Sequence, residues 1–384
     1  MTVSRNEFLI DPAVVFLNHG SFGACPRPVF EAYQRWQLEL ERQPVEFLGR
    51  RIDGLLDEAR GKLATYLNAD ANDIIFVPNA TSGVNLVARS LAWSNWLQPG
   101  DEILATDHEY GACSFTWEHI CKKTGAVYVQ RPVTLPVTTH ADMIEHFLAG
   151  ITSRTRVIHI SHITSPTALI FPVAEICRRA RELGIVTVID GAHAPGQVPV
   201  DLTVLDADFY TGNCHKWMCA PKGSGFLHVR REHQTIMESQ IVSWGEHDDG
   251  SYIARQQKQG TRDYAAYLTV PTAIEYQQSH NWEAVQIACH ELIKQARADL
   301  SALFNLPPIL PDDPAWYRQM VTVPVPKCDL SILKIRLYDE FRVEIPVIDW
   351  NNKQYIRVSI QGYNTRADID QLLSALHHIF AHQG

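Results

Sequence analysis

The segment YTGNCHKWMCAPKGSGFL, residues 210–227, places a histidine and a lysine side by side after small polar residues and before a proline- and glycine-containing loop. Most lysines are solvated surface charges, and this is the simplest interpretation of Lys216. In an open parallel sheet, however, ligands bind at the carboxyl ends of the strands. Lys216 is therefore also a candidate for an amine held in a cleft, and the rest of the chain decides between the two interpretations.

Short apolar strands alternate with helical segments from about residue 50 to 265. The strand-like runs are DIIFVP, DEILAT, AVYVQ, TRVIHISHI, IVTVID and ADFYTGN. This alternation predicts an α/β fold with a mostly parallel sheet flanked by helices. Farther on, a long helix and the hairpin-type strands WYRQMVTVPVP, FRVEIPVID and YIRVSIQGYN predict a compact α+β unit. We expect a large domain over 15–270 and a small C-terminal domain over 271–384, with residues 1–14 as candidates to join the latter.

Composition excludes several classes of protein. The 384 residues are 46% hydrophobic and 20% charged, which is typical of a folded globular chain, and the net charge of −9 argues against nucleic acid or an anionic membrane as a partner. The sequence contains no apolar run long enough for a signal peptide or a membrane span. Eight scattered cysteines without a C-x-x-C pair predict reduced thiols and a cytoplasmic location. The histidines form no H-E-x-x-H motif, so we predict no metal site.

The segment NATSGVN follows the first strand of the α/β part and opens a helix. Asn79, Thr81 and Ser82 can cap this helix, and Gly83 would let the backbone approach a ligand closely. A helix N-terminus of this kind can bind phosphate, although simple N-capping explains the same residues. The segment alone leaves the two interpretations open.

Three other strand ends carry groups that suit one cofactor. Tyr110 follows DEILAT, Asp190 follows the apolar run IVTVI, and Lys216 follows ADFYTGN. A carboxylate at the end of a buried strand is costly without a cationic partner. Pyridoxal phosphate needs a lysine for its Schiff base, a carboxylate for its pyridine nitrogen, an aromatic ring to stack on it and a phosphate site. The sequence therefore predicts pyridoxal 5'-phosphate as the cofactor.

Seven blocks carry a family resemblance over nearly the whole chain: FLNHGSFGACP (16–26), NATSGVN (79–85), SHITSPTALIFPV (161–173), IDGAHAPGQ (189–197), HKWMCAPKGSGFL (215–227), GTRDY (260–264) and YIRVSIQGYNT (355–365). With these blocks, the chain resembles the class V aminotransferase family of fold-type I pyridoxal-phosphate enzymes. Within that family, it is most similar to the isopenicillin N epimerase-like branch.

The resemblance implies a role for each matching residue. The candidate catalytic residues are Lys216, which would hold the cofactor, Asp190, His193 and Tyr110. The other implied cofactor contacts are Ser165 near the ring and, at the phosphate, Ala80, Thr81, Ser82, Asn213 and His215. Thr261 would reach the phosphate of a partner subunit, which implies a homodimer with shared sites. Arg357 would clamp the substrate carboxylate, and a segment with Asn18, His19 and Gly20 would fold over the substrate side.

The implied reaction is epimerisation or racemisation at Cα of an amino acid, through a lysine aldimine and a quinonoid intermediate. It requires a second proton donor, for which Tyr110 and His193 are candidates. A Cβ–S lyase would share the same carbanion and stays an alternative. No cysteine precedes Arg357 in FRVEIPVIDWNNKQYIR, which disfavours a desulfurase, and no second carboxylate-binding arginine is evident for an aminotransferase, although Arg255 and Arg262 prevent its exclusion. A non-catalytic protein is least favoured, because the main site residues are all present.

Overall fold

The computed structural model describes residues 3–247 and 250–381. Its strands are β1 Val15–Phe16, β2 Ile74–Val77, β3 Glu102–Thr106, β4 Val127–Arg131, β5 Thr155–Ser161, β6 Val186–Gly191, β7 Phe209–Asn213, β8 Gly225–Val229, β9 Met320–Pro324, β10 Val343–Glu344, β11 Val347–Trp350 and β12 Lys353–Ser359. A central sheet has the order β2-β8-β7-β6-β5-β3-β4. Strands β3 to β7 pair in parallel, and β8 is antiparallel to both of its neighbours. This confirms the predicted mostly parallel sheet.

The α-helices are α1 His19–Phe22, α2 Arg27–Arg42, α3 Pro44–Glu46, α4 Ile52–Tyr66, α5 Ala80–Trp93, α6 Gly111–Thr124, α7 His140–Leu148, α8 Val173–Glu182, α9 Leu202–Leu205, α10 Tyr252–Gln257, α11 Ala265–Leu268, α12 Val270–Ser279, α13 Trp282–Phe304, α14 Leu330–Asp339 and α15 Arg366–Ala381. None of the helices in the described part of the chain combines the length and the apolar character that crossing a bilayer requires.

The central sheet separates two apolar cores. Ile75 and Val77 of β2 pack in a core with α5 and α6, whereas Ile74 and Phe76 of the same strand pack in the core that contains α4, α7 and α8. Successive strand residues point to opposite faces, and both faces are covered by helices. Continuous apolar runs such as IVTVI result from this arrangement, because every residue of β6 is buried.

The C-terminal strands form a separate antiparallel sheet of order β11-β12-β9, as their hairpin-type sequences predict. The predicted strand FRVEIPVID is wrong in one respect, since it divides into β10 and β11 at Ile345 and Pro346. Pro346 has no N–H for a ladder hydrogen bond and ends the first strand. β1 pairs in parallel with β10, and the Phe8 ring lies 4.7 Å from the Tyr363 ring, so the N-terminal segment packs on this part of the chain. The domain boundary near residue 270 stays a prediction.

Candidate active site

A cavity of about 370 Å³ opens where β2, β5, β6 and β7 end. This is the edge of a parallel sheet at which ligands bind. Eleven of the predicted site residues line the cavity: Gly20, Ala80, Thr81, Tyr110, Ser165, Asp190, His193, Asn213, His215, Lys216 and Arg357. Four predicted residues do not line it: Asn18, His19, Ser82 and Thr261.

Lys216 presents its amine to this cavity, so it is not a solvated surface charge. Its Nζ lies 3.2 Å from Nε2 of His193. Burial, assisted by the positive charge of Arg357, lowers the pKa of Lys216 to about 8. A larger fraction of the amine is therefore neutral near pH 7 than for an exposed lysine, and a neutral amine is the nucleophilic form.

The His193 ring is buried between Lys216 and Trp217. The indole Nε1–H of Trp217 donates to Nδ1 of His193 over 3.4 Å, so Nδ1 carries a lone pair and Nε2 carries the proton of the neutral ring. Burial, followed by the charge of Lys216, lowers the pKa of His193 well below its ordinary value. The residue is therefore neutral at physiological pH and offers an N–H beside the amine.

Asp190 is a buried carboxylate at the next-to-last position of β6. The backbone N–H of Ala192 donates to its Oδ1 at 2.9 Å, and the thiol of Cys113 lies 3.5 Å from its Oδ2. Among the residues that the structure describes, no lysine, arginine or histidine forms an ion pair with Asp190. A buried carboxylate of this kind is suited to a cationic group of a bound molecule, such as a protonated ring nitrogen.

The start of α5 has the cap that the sequence predicts. Oδ1 of Asn79 accepts from the Ser82 N–H at 2.9 Å, and Oδ1 of Asn213 accepts from the Ala80 N–H at 2.8 Å. Thr81 lines the cavity beside these caps, whereas Ser82 does not. Capping and a cavity-facing helix N-terminus therefore coexist, and the phosphate role of these residues stays a prediction.

Gly83 allows close packing between α5 and the central sheet. A Cβ atom at this position would lie 2.2 Å from Oγ1 of Thr211 in β7. This contact explains the glycine without a ligand, and its suggested role of bringing backbone to a ligand stays a prediction. His215, in contrast, faces the cavity, and its Nδ1 donates to the Ser224 carbonyl at 2.9 Å, which leaves Nε2 available.

Arg357 lies on β12 with its guanidinium buried in the cavity wall. Its NH1 donates to the carbonyl oxygen of Ser165 at 2.6 Å and to Oγ of Ser165 at 3.2 Å, and NH2 donates to Oγ of Ser21 at 3.1 Å. Its Nε is buried without a partner, and burial lowers the pKa of Arg357 to about 10. Within residues 3–247 and 250–381, no carboxylate pairs with this arginine. A buried guanidinium without a counter-charge can bind an anionic ligand.

The segment around α1 packs against the backbone of Lys216, and its implied position over the substrate stays a prediction; two of its predicted residues point away from the cavity. The ring of His19 is fully buried: Nδ1 lies 3.0 Å from the Tyr363 hydroxyl, and Nε2 donates to the Lys216 carbonyl at 3.1 Å. Burial lowers the pKa of His19 to about 3, so the ring is neutral. Asn18 is also turned away from the cavity, and its Nδ2 donates to Glu344 at 2.9 Å.

Ser21 is a site residue that sequence reasoning missed, although it lies inside the quoted segment FLNHGSFGACP. Its hydroxyl donates to Oδ1 of Asn18 at 2.5 Å and accepts from Arg357. Gly20 also lines the cavity, and a Cβ atom there would lie 2.7 Å from Sδ of Met320. Asn18 thus acts through Ser21, by orienting the hydroxyl that supports the Arg357 guanidinium.

Glu109 is a second residue that the sequence did not single out. Its carboxyl group is buried, with Oε1 accepting from Thr106 at 2.5 Å and Oε2 accepting from Ser161 at 2.6 Å. Burial, with a smaller contribution from the charge of Asp190, raises its pKa to about 7, although the two hydrogen bonds act in the opposite direction. The adjacent Tyr110 is 46% exposed at the mouth of the cavity. The acidic residue before Tyr110 in DHEYG was the available signal.

The predicted partner contact of Thr261 stays a prediction, because this residue is exposed and lies outside the cavity of its own chain. Away from the cavity, Asp208, Glu232 and His233 form one group with possible metal-ligand geometry among the described residues. Arg230 forms ion pairs with Asp208 at 3.3 Å and with Glu232 at 2.8 Å. A cation of the protein itself therefore neutralises this group.

Comparison with solved structures identifies the fold. A cysteine desulfurase from Thermococcus onnurineus NA1 matches with a TM-score of 0.84 at 20% identity, covering 98% of this chain and 96% of that chain. A C-DES mutant with glycine covalently linked to its PLP cofactor matches with a TM-score of 0.84 at 22% identity, covering 98% and 99%. The predicted type I fold of pyridoxal-phosphate enzymes is confirmed.

Sequence comparison identifies the family. The model of the family Aminotransferase class-V matches residues 24–372. Isopenicillin N epimerase of Amycolatopsis lactamdurans is 35% identical, with 97% of each chain covered. Putative L-cysteine desulfhydrase 1 of Oryza sativa subsp. japonica is 30% identical, with 97% of this chain and 84% of the relative covered. The chain therefore belongs to the class V aminotransferase family and is a pyridoxal-phosphate-dependent enzyme, as predicted.

Proposed function

We propose that the enzyme epimerises or racemises an α-amino acid at Cα. The observation that carries this proposal is the buried Arg357 guanidinium, which lacks a protein carboxylate and lines the same cavity as the Lys216 amine. An amino acid supplies the missing carboxylate, and its Cα then lies between the clamp and the amine. Relatives named isopenicillin N epimerase, 35% identical over 97% of this chain, support the choice of reaction.

The residues of the cavity fit pyridoxal phosphate. Asp190 is a buried carboxylate that can hold a protonated pyridine nitrogen, and the start of α5 with Thr81 can hold the phosphate. His193 offers its Nε2–H beside Lys216, where a ring hydroxyl would be stabilised. When bound, the cofactor supplies an electron sink for negative charge that develops at Cα.

In this proposal, Lys216 takes the proton from Cα, because its lowered pKa of about 8 suits a base that works near neutral pH. Arg357 fixes the carboxylate and thereby orients the Cα–H bond. Inversion also needs a proton donor on the opposite side. His193 lies 3.2 Å from the Lys216 amine and hence on the lysine side, so we assign the donor role to Tyr110 at the mouth of the cavity.

A Cβ–S lyase remains the second candidate, because one relative, named putative L-cysteine desulfhydrase 1, is 30% identical over 97% of this chain. That reaction uses the same base and the same carboxylate clamp but needs no donor on the opposite side. The exchange of Cα–H is common to both reactions, whereas loss of the β-substituent belongs to the lyase alone.

The test is to incubate the purified enzyme with a panel of L-amino acids in D₂O and to analyse products. The proposal expects the D-isomer with deuterium at Cα. Pyruvate with ammonia would instead support the lyase, and a keto acid with aminated cofactor would support an aminotransferase. Tyr110→Phe should still exchange Cα–H but should invert it poorly, whereas Lys216→Ala should do neither. If Tyr110→Phe lost exchange and inversion equally, Tyr110 would not be the proton donor on the opposite side of Cα.

We also propose a homodimer in which Thr261 reaches the phosphate of the neighbouring subunit, and a reducing, cytoplasmic location. The exposed position of Thr261 outside its own cavity is compatible with the first proposal, and eight free cysteines support the second. Analytical ultracentrifugation across a dilution series tests the dimer. A monomer that retains cofactor and turnover would contradict it.

A further inference from the structure

A second groove of about 430 Å³ begins at the active-site cavity. Tyr110, Ser165 and Arg357 line both spaces. The groove therefore starts at the proposed carboxylate clamp and runs away from the Lys216 amine. Because a side chain leaves the same Cα that bears the carboxylate, an amino acid held by Arg357 has this groove within reach of its side chain.

The far wall of the groove is apolar. Its wall residues include Pro166, Pro346, Ile348 and Trp350. The indole Nε1–H of Trp350 donates to the Asp107 carbonyl at 3.1 Å, so the polar edge of this ring is already used. The Trp350 ring also contacts the His108 ring at a centroid distance of 4.2 Å, which holds it in place.

Of the ionisable groups that line the groove, Glu109 is committed elsewhere, Arg357 belongs to the proposed carboxylate site, and Tyr110 is the proposed proton donor. Both carboxyl oxygens of Glu109 accept hydrogen bonds from Thr106 and Ser161, and the side chain is buried. Arg357 is the proposed carboxylate site. A charged tail would lose its hydration in this groove without gaining a partner, whereas an apolar tail would bury its surface.

The hairpin strand β11 builds this wall by the alternation of its side chains. Ile348 and Trp350 point to the groove, and Val347 lies on the opposite face of the strand. A substitution at Ile348 and the same substitution at Val347 therefore form a matched pair on adjacent residues, of which only the first changes the groove.

We propose that this groove binds an apolar extension of the substrate side chain, so that the enzyme acts on amino acids with a long apolar group rather than on alanine- or cysteine-sized ones. The inference rests on the proposed function, since it requires an amino acid held by Arg357. The volume of the groove also favours a long side chain, because a small side chain would leave its about 430 Å³ unfilled.

The experiment is a spectral titration of the purified holoenzyme, in which amino-acid binding is read from the absorbance of the cofactor. The probes are unbranched L-amino acids from alanine to 2-aminooctanoate, together with lysine. Affinity is expected to rise about three- to fourfold for each buried methylene group, and norleucine is expected to bind more tightly than lysine. Ile348→Gln should flatten this dependence and leave alanine binding unchanged, and Val347→Gln should keep it.

A flat dependence on chain length in the wild type, with alanine still bound, would overturn the groove proposal alone. Tighter binding of lysine than of norleucine would overturn the apolar character of the ligand. If no amino acid changes the absorbance, the proposed function fails instead, so the two failures are distinguishable. Thermal unfolding of the two variants shows whether each is folded, and equal flattening in both variants would also overturn the assignment.

Discussion

Replacing Arg357 with methionine should stabilise the cofactor-free protein and, at the same time, weaken amino-acid binding. Burial lowers the pKa of Arg357 to about 10, so the folded state disfavours the charged form. One pKa unit corresponds to about 1.4 kcal/mol, and the difference from a free guanidinium corresponds to roughly 3 kcal/mol. Both states are protonated at pH 7, so this cost is fully present there and is relieved only as the pH rises above 10.

The expected gain is smaller than this limit, because the variant also loses the hydrogen bonds to Ser165 and Ser21. We expect an increase of about 1–2 kcal/mol in the free energy of unfolding, as buried charges replaced by apolar groups of similar volume often give. Loss of a charge-assisted contact of about 3 kcal/mol should weaken amino-acid binding roughly a hundredfold. Cofactor binding should be unchanged, since the arginine contacts the carboxylate of the substrate.

Urea unfolding of the cofactor-free proteins at pH 7, followed by circular dichroism, measures the first effect. The change in cofactor absorbance with added amino acid measures the second. Arg60→Met is the matched control, because Arg60 is equally buried but donates to the Ala71 carbonyl at 2.8 Å and pairs with Asp57 at 2.8 Å. This control should lose stability and keep amino-acid binding.

A cofactor-free Arg357→Met protein that is less stable than the wild type would show that the guanidinium is a structural tie between β12 and its neighbours. Unchanged amino-acid binding in the same variant would refute the carboxylate role. Arg357→Lys distinguishes charge from geometry: it keeps the charge but cannot bind a carboxylate bidentately, so turnover should fall more than affinity.

Three further predictions follow from single residues. Asp190→Asn should retain cofactor but lose turnover by orders of magnitude, which absorbance and rate measurements separate, because a neutral pyridine is a poor electron sink. Glu109→Gln should become more stable relative to the wild type as the pH rises from about 4.5 to 7. The pKa of Glu109 in the folded state is raised to about 7, so ionisation of this carboxyl group destabilises the folded wild type over that range. An unchanged difference in urea midpoints between the two proteins from pH 4.5 to 7 would contradict this prediction. Gly23→Ala should disturb the segment that packs on Lys216 and should release cofactor on dialysis. The new Cβ would lie 2.0 Å from the backbone oxygen of His215, and the φ angle of 71° is unfavourable for alanine. The control is Gly61→Ala in α4, which has open space around it and should retain cofactor.

The part of the site that the sequence could predict is the part that the sheet organises. Asp190 lies near the carboxyl end of β6, and Lys216 follows the adjacent strand β7. Parallel strands bring their carboxyl ends to one edge, so the order of segments in the chain predicts the proximity of the two residues. Arg357 is different, because β12 belongs to another sheet. No periodicity connects that sheet to the cavity, and this assignment depended on the family resemblance.

The errors occur where a side chain could point in two directions within one short segment. His19 and Ser21 are two residues apart in α1, and the structure turns Ser21 to the cavity and buries His19 against Tyr363. The sequence predicts the segment but not its rotation, because contacts such as the close approach of Gly20 to Met320 arise only in the folded chain.

The charges of the cavity argue that it is maintained for a ligand. Asp190 and Arg357 are each buried without an ion-pair partner in the described part of the chain, and the Lys216 amine has a lowered pKa. Each arrangement costs stability in the empty protein, and mutations to apolar residues would relieve that cost. A cationic ring nitrogen, a carboxylate and a carbonyl carbon are the complements of these three groups. A cofactor with an amino acid supplies all of them together.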